Sequence, residues 1–455
     1  MTAPIYDFAR NYADSDVVRA HMPGHKGKPL LGCEPLDLTE IAGADELFAP
    51  EGIIAESEAN ASKIFGCQTL YSTEGSSLCI RAMLFLAMKS AQQRGKKPVI
   101  AAARNAHKTF LTAAALLDFA ILWLPKDHTN SYLGCGEAPA WESCLSAPEK
   151  PAALYLTSPD YLGGIADIRA AAAFCHANDM LLLVDNAHGA YLKFLPEPQH
   201  PIDLGADLCC DSAHKTLPVL TGGAYLHIAP HAPEICSRYA KIALSLFAST
   251  SPSYLILESL DLCNRILNDT FRDDLIGAIA RVKHLKDTLF ADGWTLTGSE
   301  PLKLTVLPKP CGYTGTALAE QLQEHRIYVE FADPDAVVLM LSPQNSERDF
   351  RAIAYAFRSI PRKAPIPAKP PHLPAASAAN RIFTPRQVLL FHETETLPIS
   401  QCKGRICAEF AISCPPAVPI VICGERISDD AIACMEYYGI ETCTVIKSTE
   451  KPCDL

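Results

Sequence analysis

With 455 residues, the chain is too long for one average domain, and about two or three domains are expected. Its composition, 49% hydrophobic and 20% charged, is that of a soluble globular protein, and no apolar run is long enough to span a membrane. The net charge of −11 argues against nucleic acid as a partner, because nucleic-acid-binding domains are usually basic.

The first residues lack the basic region and the apolar stretch of a signal peptide, so we expect a cytoplasmic protein. In that compartment the 18 cysteines would be reduced thiols. No Cys-x-x-Cys pair occurs at zinc-finger spacing, and we predict no metal site.

Residues 1–50 show little periodicity and many turn formers. We predict an ordered arm there, which includes the basic segment RAHMPGHKGK at 19–28. Helical spacing follows over 53–65, and Gly66 is expected to end that helix.

The turn STEGSS at 72–77 precedes a strongly apolar helix predicted at 78–91. Ser76 and Ser77 therefore lie at a helix start, where free backbone N–H groups and the helix dipole favour an anion such as phosphate. An ordinary serine cap would place the same residues there.

Strands and helices alternate over the next part of the chain. Strands are predicted at 98–104, 120–125, 152–157, 180–185 and 206–210, with helices at 107–119 and 167–178. Solidly apolar strands in this order predict an α/β fold with a mostly parallel sheet covered on both faces. Such sheets bind ligands at the carboxyl ends of their strands. The polar residues expected at those ends are Asp185, His188, Ser212, His214 and Lys215.

Lys215 follows the last of these strands, between His214 and Thr216, and Gly222 and Gly223 form a turn shortly after it. A lysine at a strand end can form a Schiff base if burial lowers its pKa. From this segment alone, a solvated loop lysine is the interpretation to prefer.

The remainder of the chain contains a long helical region at 254–290 and a second α/β pattern up to about 343. A proline-rich linker is predicted at 361–380. Strand-like segments follow at 386–392 and 419–427. The expected domains are an arm at 1–50, a large domain at 51–285, a small α/β domain at 286–365, and the linker with a C-terminal domain at 366–455.

Together these residues meet the separate demands of pyridoxal phosphate (PLP), the usual electron sink for a carbanion next to an amino group. Lys215 provides the amine, and Asp185 provides an acid for the pyridine nitrogen. The serines of the 72–77 turn provide a phosphate cradle, and His107 a flat group for the ring. Each residue alone is explained by a structural role, Asp185 as a turn cap and His107 as a core or capping histidine.

Several motifs resemble the PLP-dependent Orn/Lys/Arg decarboxylase family of fold type I, the aspartate aminotransferase-like group. They extend over nearly the whole chain: HMPGHKG (21–27), DLTE (37–40), RNAHKT (104–109), DNAHGA (185–190), SAHKT (212–216), TSPSYLILESLD (250–261) and PPAVPIVICGERI (415–427). DNAHGA together with SAHKT is the most specific part. The HMPGHKG segment begins at residue 21, so we expect the short form without an N-terminal receiver-like domain.

The resemblance implies a PLP-binding large domain with a mostly parallel sheet and smaller α/β C-terminal domains. It implies Lys215 as the Schiff-base lysine, Asp185 as the partner of the pyridine nitrogen and His107 as the ring-stacking residue. It further implies that the phosphate is contacted by Ser76, Ser77, Ser212 and His214. His188 would lie close to the cofactor oxygen or the substrate carboxylate. Ser249 and Thr250 would reach the phosphate of a neighbouring subunit, which implies a homodimer or larger homo-oligomer.

Four positions depart from the pattern expected for the family: Glu74, Cys79, Tyr191 and Gly222. None removes a catalytic group, but Glu74 adds negative charge near the proposed phosphate.

The implied substrate is a basic L-amino acid, with arginine favoured over lysine and ornithine. The first candidate for its distal cation is Glu330, followed by Asp45 and Glu46, although a role as surface or capping carboxylate is favoured for each. The alternatives are another fold type I reaction, of the aminotransferase or aldolase type, and a non-enzymatic regulator with a decayed site. The intact Lys215, Asp185 and His107 argue against the regulator.

Overall fold

The computed structural model describes residues 1–124, 140–367, 381–410, 413–414 and 418–447. The described helices are α1 (Pro4–Ala13), α2 (Ile53–Phe65), α3 (Gly75–Gln93), α4 (Lys108–Leu117), α5 (Ile168–Ala177), α6 (Ala213–Thr216), α7 (Glu234–Ser245), α8 (Tyr254–Asp269), α9 (Phe271–Ala291), α10 (Gly315–Glu324), α11 (Glu347–Ser359), α12 (Pro385–Phe391) and α13 (Asp429–Tyr437). The described strands are β1 (Gln68–Ser72), β2 (Val99–Ala102), β3 (Ala120–Trp123), β4 (Ala153–Thr157), β5 (Leu181–Asp185), β6 (Leu208–Asp211), β7 (Ala224–Ile228), β8 (Thr295–Thr297), β9 (Lys303–Leu307), β10 (Phe331–Ala332), β11 (Val337–Met340), β12 (Thr394–Pro398), β13 (Ser413–Cys414), β14 (Val418–Pro419) and β15 (Thr442–Ile446).

The chain divides into two compact units, of which the first comprises residues 1–98, 152–158 and 168–276. In this unit the strands lie in the order β1-β7-β6-β5-β4. β4, β5 and β6 are parallel, whereas β7 is antiparallel to both β6 and β1. The strands β5 and β6 are buried throughout, which explains why each is apolar up to the aspartate at its end.

The second unit comprises residues 99–151, 159–167 and 277–455. β2 and β3 form a parallel pair there, and β10-β11-β9-β8 form a four-stranded antiparallel sheet. Two smaller pairs, β12 with β15 and β13 with β14, complete it. The predicted α/β class with a mostly parallel sheet is confirmed.

The N-terminal arm contains a helix, α1, that the sequence analysis did not predict. Pro4 occupies the first turn of α1, and no side chain of its own cap residue accepts a hydrogen bond. Instead, the carboxylate of Asp261 in α8 accepts the N–H groups of Ile5 (2.8 Å) and Tyr6 (3.1 Å). A carboxylate at a helix N-terminus stabilises it, and here that group comes from a distant part of the sequence.

Two strand-like predictions in the C-terminal region are wrong. Residues 386–392 lie mostly in helix α12, because Thr384 and Gln387 form a capping box and Pro385 occupies the first turn. Of the segment 419–427, only Pro419 lies in a strand, while Glu425 and Arg426 form isolated bridges. The proline-rich linker predicted at 361–380 lies outside the described residues from 368 onward.

In the part of the chain that the structure describes, no helix combines the length and the apolar character needed to cross a membrane.

Candidate active site

Asp185 ends strand β5 with its carboxylate buried; the residue is 2% exposed. Tyr155 of the neighbouring strand β4 donates to its Oδ2 (3.0 Å), and the N–H of Ala187 donates to its Oδ1 (3.2 Å). The thiol of Cys210 contacts the same Oδ1 at 3.7 Å. These donors fix the orientation of the carboxylate at the carboxyl end of the parallel strands.

Lys215 lies in the short helix α6, which follows β6. Its Nζ is 3.1 Å from Nε2 of His188, a buried residue three positions after Asp185. Lys215 itself is exposed in this chain. The lysine and His188 are thus brought together, as the sequence predicted, at the ends of adjacent strands.

Ser76 and Ser212 meet at the start of helix α3. The Oγ of Ser212 donates to the Oγ of Ser76 at 2.7 Å. Gly75 and Ser77 belong to the first turn of α3, a helix of 19 residues. Hydroxyls at a helix N-terminus form a site that suits a phosphate group.

The turn after Lys215 closes onto this helix start. The N–H of Gly75 donates to the carbonyl of Gly222 (2.7 Å), and Nδ1 of His214 lies 3.1 Å from the carbonyl of Gly223. Gly222 has φ of +101°, and a Cβ there would lie 2.9 Å from the carbonyl oxygen of Thr73. The departure from glutamine at 222 is therefore accommodated by a left-handed backbone that favours glycine. Burial lowers the pKa of His214, which keeps its imidazole neutral at pH 7.

Glu74, which departs from the expected pattern, lies in the 72–77 turn as the N-cap residue of α3 and is exposed. Its Oε1 accepts the backbone N–H of Ser249 at 2.6 Å in the same chain. Ser249 and Thr250 are exposed. Glu74 thus orders the segment that we expected to reach a neighbouring subunit.

The other two departures are core residues. Cys79 and Tyr191 are fully buried, and burial raises the pKa of the Cys79 thiol. The Cys79 thiol is therefore not available as an ionised group at neutral pH.

His107 belongs to the second unit, where it is the N-cap of helix α4. Its Nδ1 lies 2.9 Å from Oγ1 of Thr109 and accepts the N–H of Thr109 at 3.3 Å. The capping role considered for this histidine from the sequence is therefore present. Its stacking role stays a prediction.

Two of the three candidates for the distal cation of the substrate have other partners. Asp45 accepts N–H groups around the start of helix α2, including those of Gly52 (2.8 Å) and Ile54 (3.0 Å). Partial burial opposes its ionisation, but the backbone N–H donors outweigh burial and lower the pKa of Asp45. Glu330, in the second unit, accepts the hydroxyl of Tyr161 at 2.9 Å. Glu46 is exposed.

A buried charged cluster that the sequence analysis missed supports the ends of β5 and β6. Asp211, His200 and His227 are each 0% exposed. Both histidine Nε2 atoms lie 3.0 Å from Oδ2 of Asp211, and Nδ2 of Asn186 donates to Oδ1 at 2.7 Å. Asp211 directly precedes Ser212, and Asn186 directly follows Asp185. The hydrogen bond between Asn186 and Asp211 therefore connects the segment that carries Lys215 with the end of β5. Isolated histidines in a sequence carry no signal of such a pairing.

Close packing around Asn186 explains the glycine of the DNAHGA segment. A Cβ at Gly189 would lie 2.0 Å from Oδ1 of Asn186 and 2.8 Å from the side chain of Leu192. Only glycine allows this approach, since a contact below 3 Å forces a neighbour to move.

Replacing Asp211 by asparagine is expected to lower the free energy of unfolding by about 3–5 kcal/mol, because it leaves the buried imidazole of His227 without its counter-charge. Burial opposes ionisation of Asp211, but the two histidines outweigh it and lower its pKa. For His227, burial favours the neutral form, but Asp211 outweighs it and raises the pKa.

The pH dependence of this effect follows from the two shifts. The contribution of Asp211 is present above the ordinary carboxyl pKa of about 3.9 and is lost as the pH falls through the lowered value. That of His227 is present below the ordinary imidazole pKa of about 6.5 and is lost as the pH rises through the raised value. Wild type and the Asp211→Asn variant can be unfolded with urea at a series of pH values. The difference between their free energies of unfolding is expected to be largest between about pH 5 and 6.5. A difference independent of pH would contradict the ion pairing.

The residues of the first unit fit PLP. The buried carboxylate of Asp185 is suited to a protonated pyridine nitrogen, and the amine of Lys215 lies at the next strand end. The Ser76–Ser212 pair at the start of α3 suits the phosphate. An amine, a carboxylate and a phosphate cradle are the donor set that this cofactor requires.

Comparisons with known proteins agree with this fit. The family model for the Orn/Lys/Arg decarboxylase major domain matches residues 3–308, and the model for the C-terminal domain of that family matches residues 376–444. The uncharacterized protein YaaO of Bacillus subtilis is 30% identical over 468 residues, covering 95% of this chain and 93% of its own. An arginine decarboxylase of the same bacterium is 28% identical over 463 residues, covering 94% and 92%. The solved structure of the constitutive lysine decarboxylase of E. coli matches with a TM-score of 0.75 at 18% identity, covering 98% of this chain and 82% of its own. The chain therefore belongs to the Orn/Lys/Arg decarboxylase family of PLP-dependent fold type I enzymes.

Proposed function

We propose that this PLP-dependent decarboxylase acts on L-arginine in preference to L-lysine and L-ornithine, and releases carbon dioxide and the corresponding amine of the polyamine type. The observation that carries the reaction is the placement of Lys215 and Asp185 at the ends of adjacent parallel strands, with His188 3.1 Å from the lysine Nζ. The preference for arginine is supported by a relative named arginine decarboxylase that is 28% identical over most of both chains.

In the proposed roles, Lys215 attaches the cofactor and Asp185 pairs with its pyridine nitrogen. When bound, PLP supplies an electron sink for the pair left by the departing carboxylate. His188 can exchange a proton with Lys215 Nζ across their 3.1 Å contact. The remaining roles are phosphate binding and ring stacking: Ser76, Ser77, Ser212 and His214 for the phosphate, and His107 for the ring.

The active enzyme is proposed to be a cytoplasmic homodimer in which Ser249 and Thr250 of one subunit contact the phosphate bound by the other. Both residues are exposed in the chain by itself. Large apolar side chains near them in the sequence are also exposed, Ile242 at 50% and Leu246 at 54%. Their exposure leaves these side chains available for contact with another subunit.

The test is to incubate the PLP-loaded enzyme separately with L-arginine, L-lysine and L-ornithine and to compare kcat/KM for amine formation. We expect L-arginine to give the highest value. A higher kcat/KM for L-lysine or L-ornithine would change the proposed substrate but would still support decarboxylation as the reaction. No amine from any of the three would refute the proposal.

A further inference from the structure

A second cluster of ionisable residues in the first unit lies away from the proposed active site. Among the described residues, two groups of three have donor atoms close enough to share a metal ion. One is the buried group His200, Cys209 and Asp211, in which Asp211 Oδ2 already bonds two histidines. The other consists of His176, Asp207 and His231, and their donor atoms lie within 4.8 Å of one another.

The His176 group has the geometry of an open metal site. Nε2 of His176 lies 3.1 Å from Oδ2 of Asp207, and Nε2 of His231 lies 3.6 Å from Oδ1. Ligand atoms around a tetrahedral Zn²⁺ are about 3.3 Å apart when each bond is about 2.0–2.1 Å long. The two separations are near this value and lead to the two oxygens of one carboxylate, so small side-chain movements would let one ion contact both Nε2 atoms and Asp207.

The carboxylate of the group is held in place. Asp207 has a side chain that is only 4% exposed, and its Oδ2 accepts the N–H of Leu182 at 2.7 Å. Hydrogen bonds of this kind orient a ligand and raise metal affinity. The histidine side chains, 41% exposed for His176 and 45% for His231, leave the site open to solvent.

We propose that His176, Asp207 and His231 bind a divalent transition-metal ion, Zn²⁺ being the best fit. Two imidazoles and one carboxylate are borderline ligands that suit Zn²⁺, whereas Mg²⁺ and Ca²⁺ prefer oxygen ligands throughout. The buried thiol of Cys236 is not among the donor atoms of this group, which come from His176, Asp207 and His231.

The ion would stabilise the fold and take no part in the decarboxylation. Asp207 directly precedes strand β6, whereas Ser212 follows its other end, about 16 Å away at 3.3 Å per residue. His176 lies in α5 and His231 follows β7, so one ion would connect α5, β6 and the segment after β7. Binding to the folded state alone raises the unfolding temperature. The wide spacing of 176, 207 and 231 in the sequence explains why no metal site was predicted there.

The test titrates the full-length, PLP-loaded protein, first freed of metal with EDTA, with ZnCl₂ in a calorimeter. Wild type is expected to bind one ion per chain at this site and to unfold at a higher temperature when Zn²⁺ is present. The double variant His176→Ala/His231→Ala and the single variant Asp207→Asn are each expected to bind at least about tenfold more weakly. Asp207→Asn keeps an oxygen that can accept the N–H of Leu182, which preserves the local fold.

The matched control is His284→Ala/His325→Ala, which removes two exposed histidines of the second unit and is expected to bind like wild type. Equal affinity of wild type and both site variants would overturn the proposal. A Co²⁺ spectrum with thiolate charge-transfer bands in wild type would also overturn it, because it would assign the ion to cysteines. A Co²⁺ spectrum of nitrogen and oxygen ligation, lost in Asp207→Asn, would support it.

Discussion

Replacing Lys215 by alanine is expected to lower decarboxylase activity by about three orders of magnitude or more, because residues that act as a catalytic unit do not substitute for one another. The side chain is the amine that follows strand β6, and its Nζ is next to His188 at 3.1 Å. The variant is also expected to lose the visible absorbance of the lysine-bound cofactor. Activity assays and absorbance spectra after PLP loading measure the two effects.

Two further variants sharpen this test. Lys215→Arg keeps a positively charged side chain of similar length, but a guanidinium does not give up its proton to become a nucleophile. It is expected to fail like the alanine variant. Lys283→Ala removes an exposed lysine, 76% accessible, and is expected to behave like wild type. Normal activity in Lys215→Arg would show that the lysine acts only through its charge.

The second large effect is expected for Asp185→Asn, which removes the negative charge from the buried end of β5. Without that charge the pyridine nitrogen loses the partner that keeps it protonated, and the electron sink is weakened. We expect kcat to fall by about 10²–10³-fold, the loss typical of a preorganised electrostatic contact. Steady-state kinetics at saturating PLP measure it.

The control for Asp185→Asn is Asp203→Asn, a change of the same chemistry at a partly exposed aspartate that pairs with Lys193. It is expected to leave kcat within about twofold, since surface ion pairs contribute little. Tyr155→Phe should give an intermediate loss, because Tyr155 donates one hydrogen bond to the Asp185 carboxylate. A kcat for Asp185→Asn equal to that of Asp203→Asn would exclude Asp185 from its proposed role.

Much of the site in the first unit could be predicted because parallel strands bring their carboxyl ends to one edge of a sheet. Asp185 ends β5 and Ser212 follows its parallel neighbour β6. The order of apolar strands in the sequence was therefore sufficient to predict that Lys215 and His188 lie close together. The buried pairing of Asp211 with His200 and His227 could not be predicted. It depends on a loop residue and on an antiparallel strand, and neither has a sequence periodicity that identifies its partner.

The wrong strand predictions in the C-terminal region have two different physical causes. The apolar run Val388–Phe391 is compatible with a strand, but the capping box of Thr384 and Gln387 starts a helix there. The segment around Gly424 is irregular for a tertiary reason: a Cβ at Gly424 would lie 2.1 Å from the carbonyl oxygen of Phe383. Helix α1 likewise depends on Asp261 in α8, which no local pattern reveals.

An assay of carbon dioxide, amine and keto acid formed from L-arginine by the PLP-loaded enzyme tests the central claim most directly. Decarboxylation at the Lys215 site predicts carbon dioxide and agmatine in equal amounts and no keto acid. Keto acid without carbon dioxide would contradict it, and would indicate an aminotransferase on the same fold.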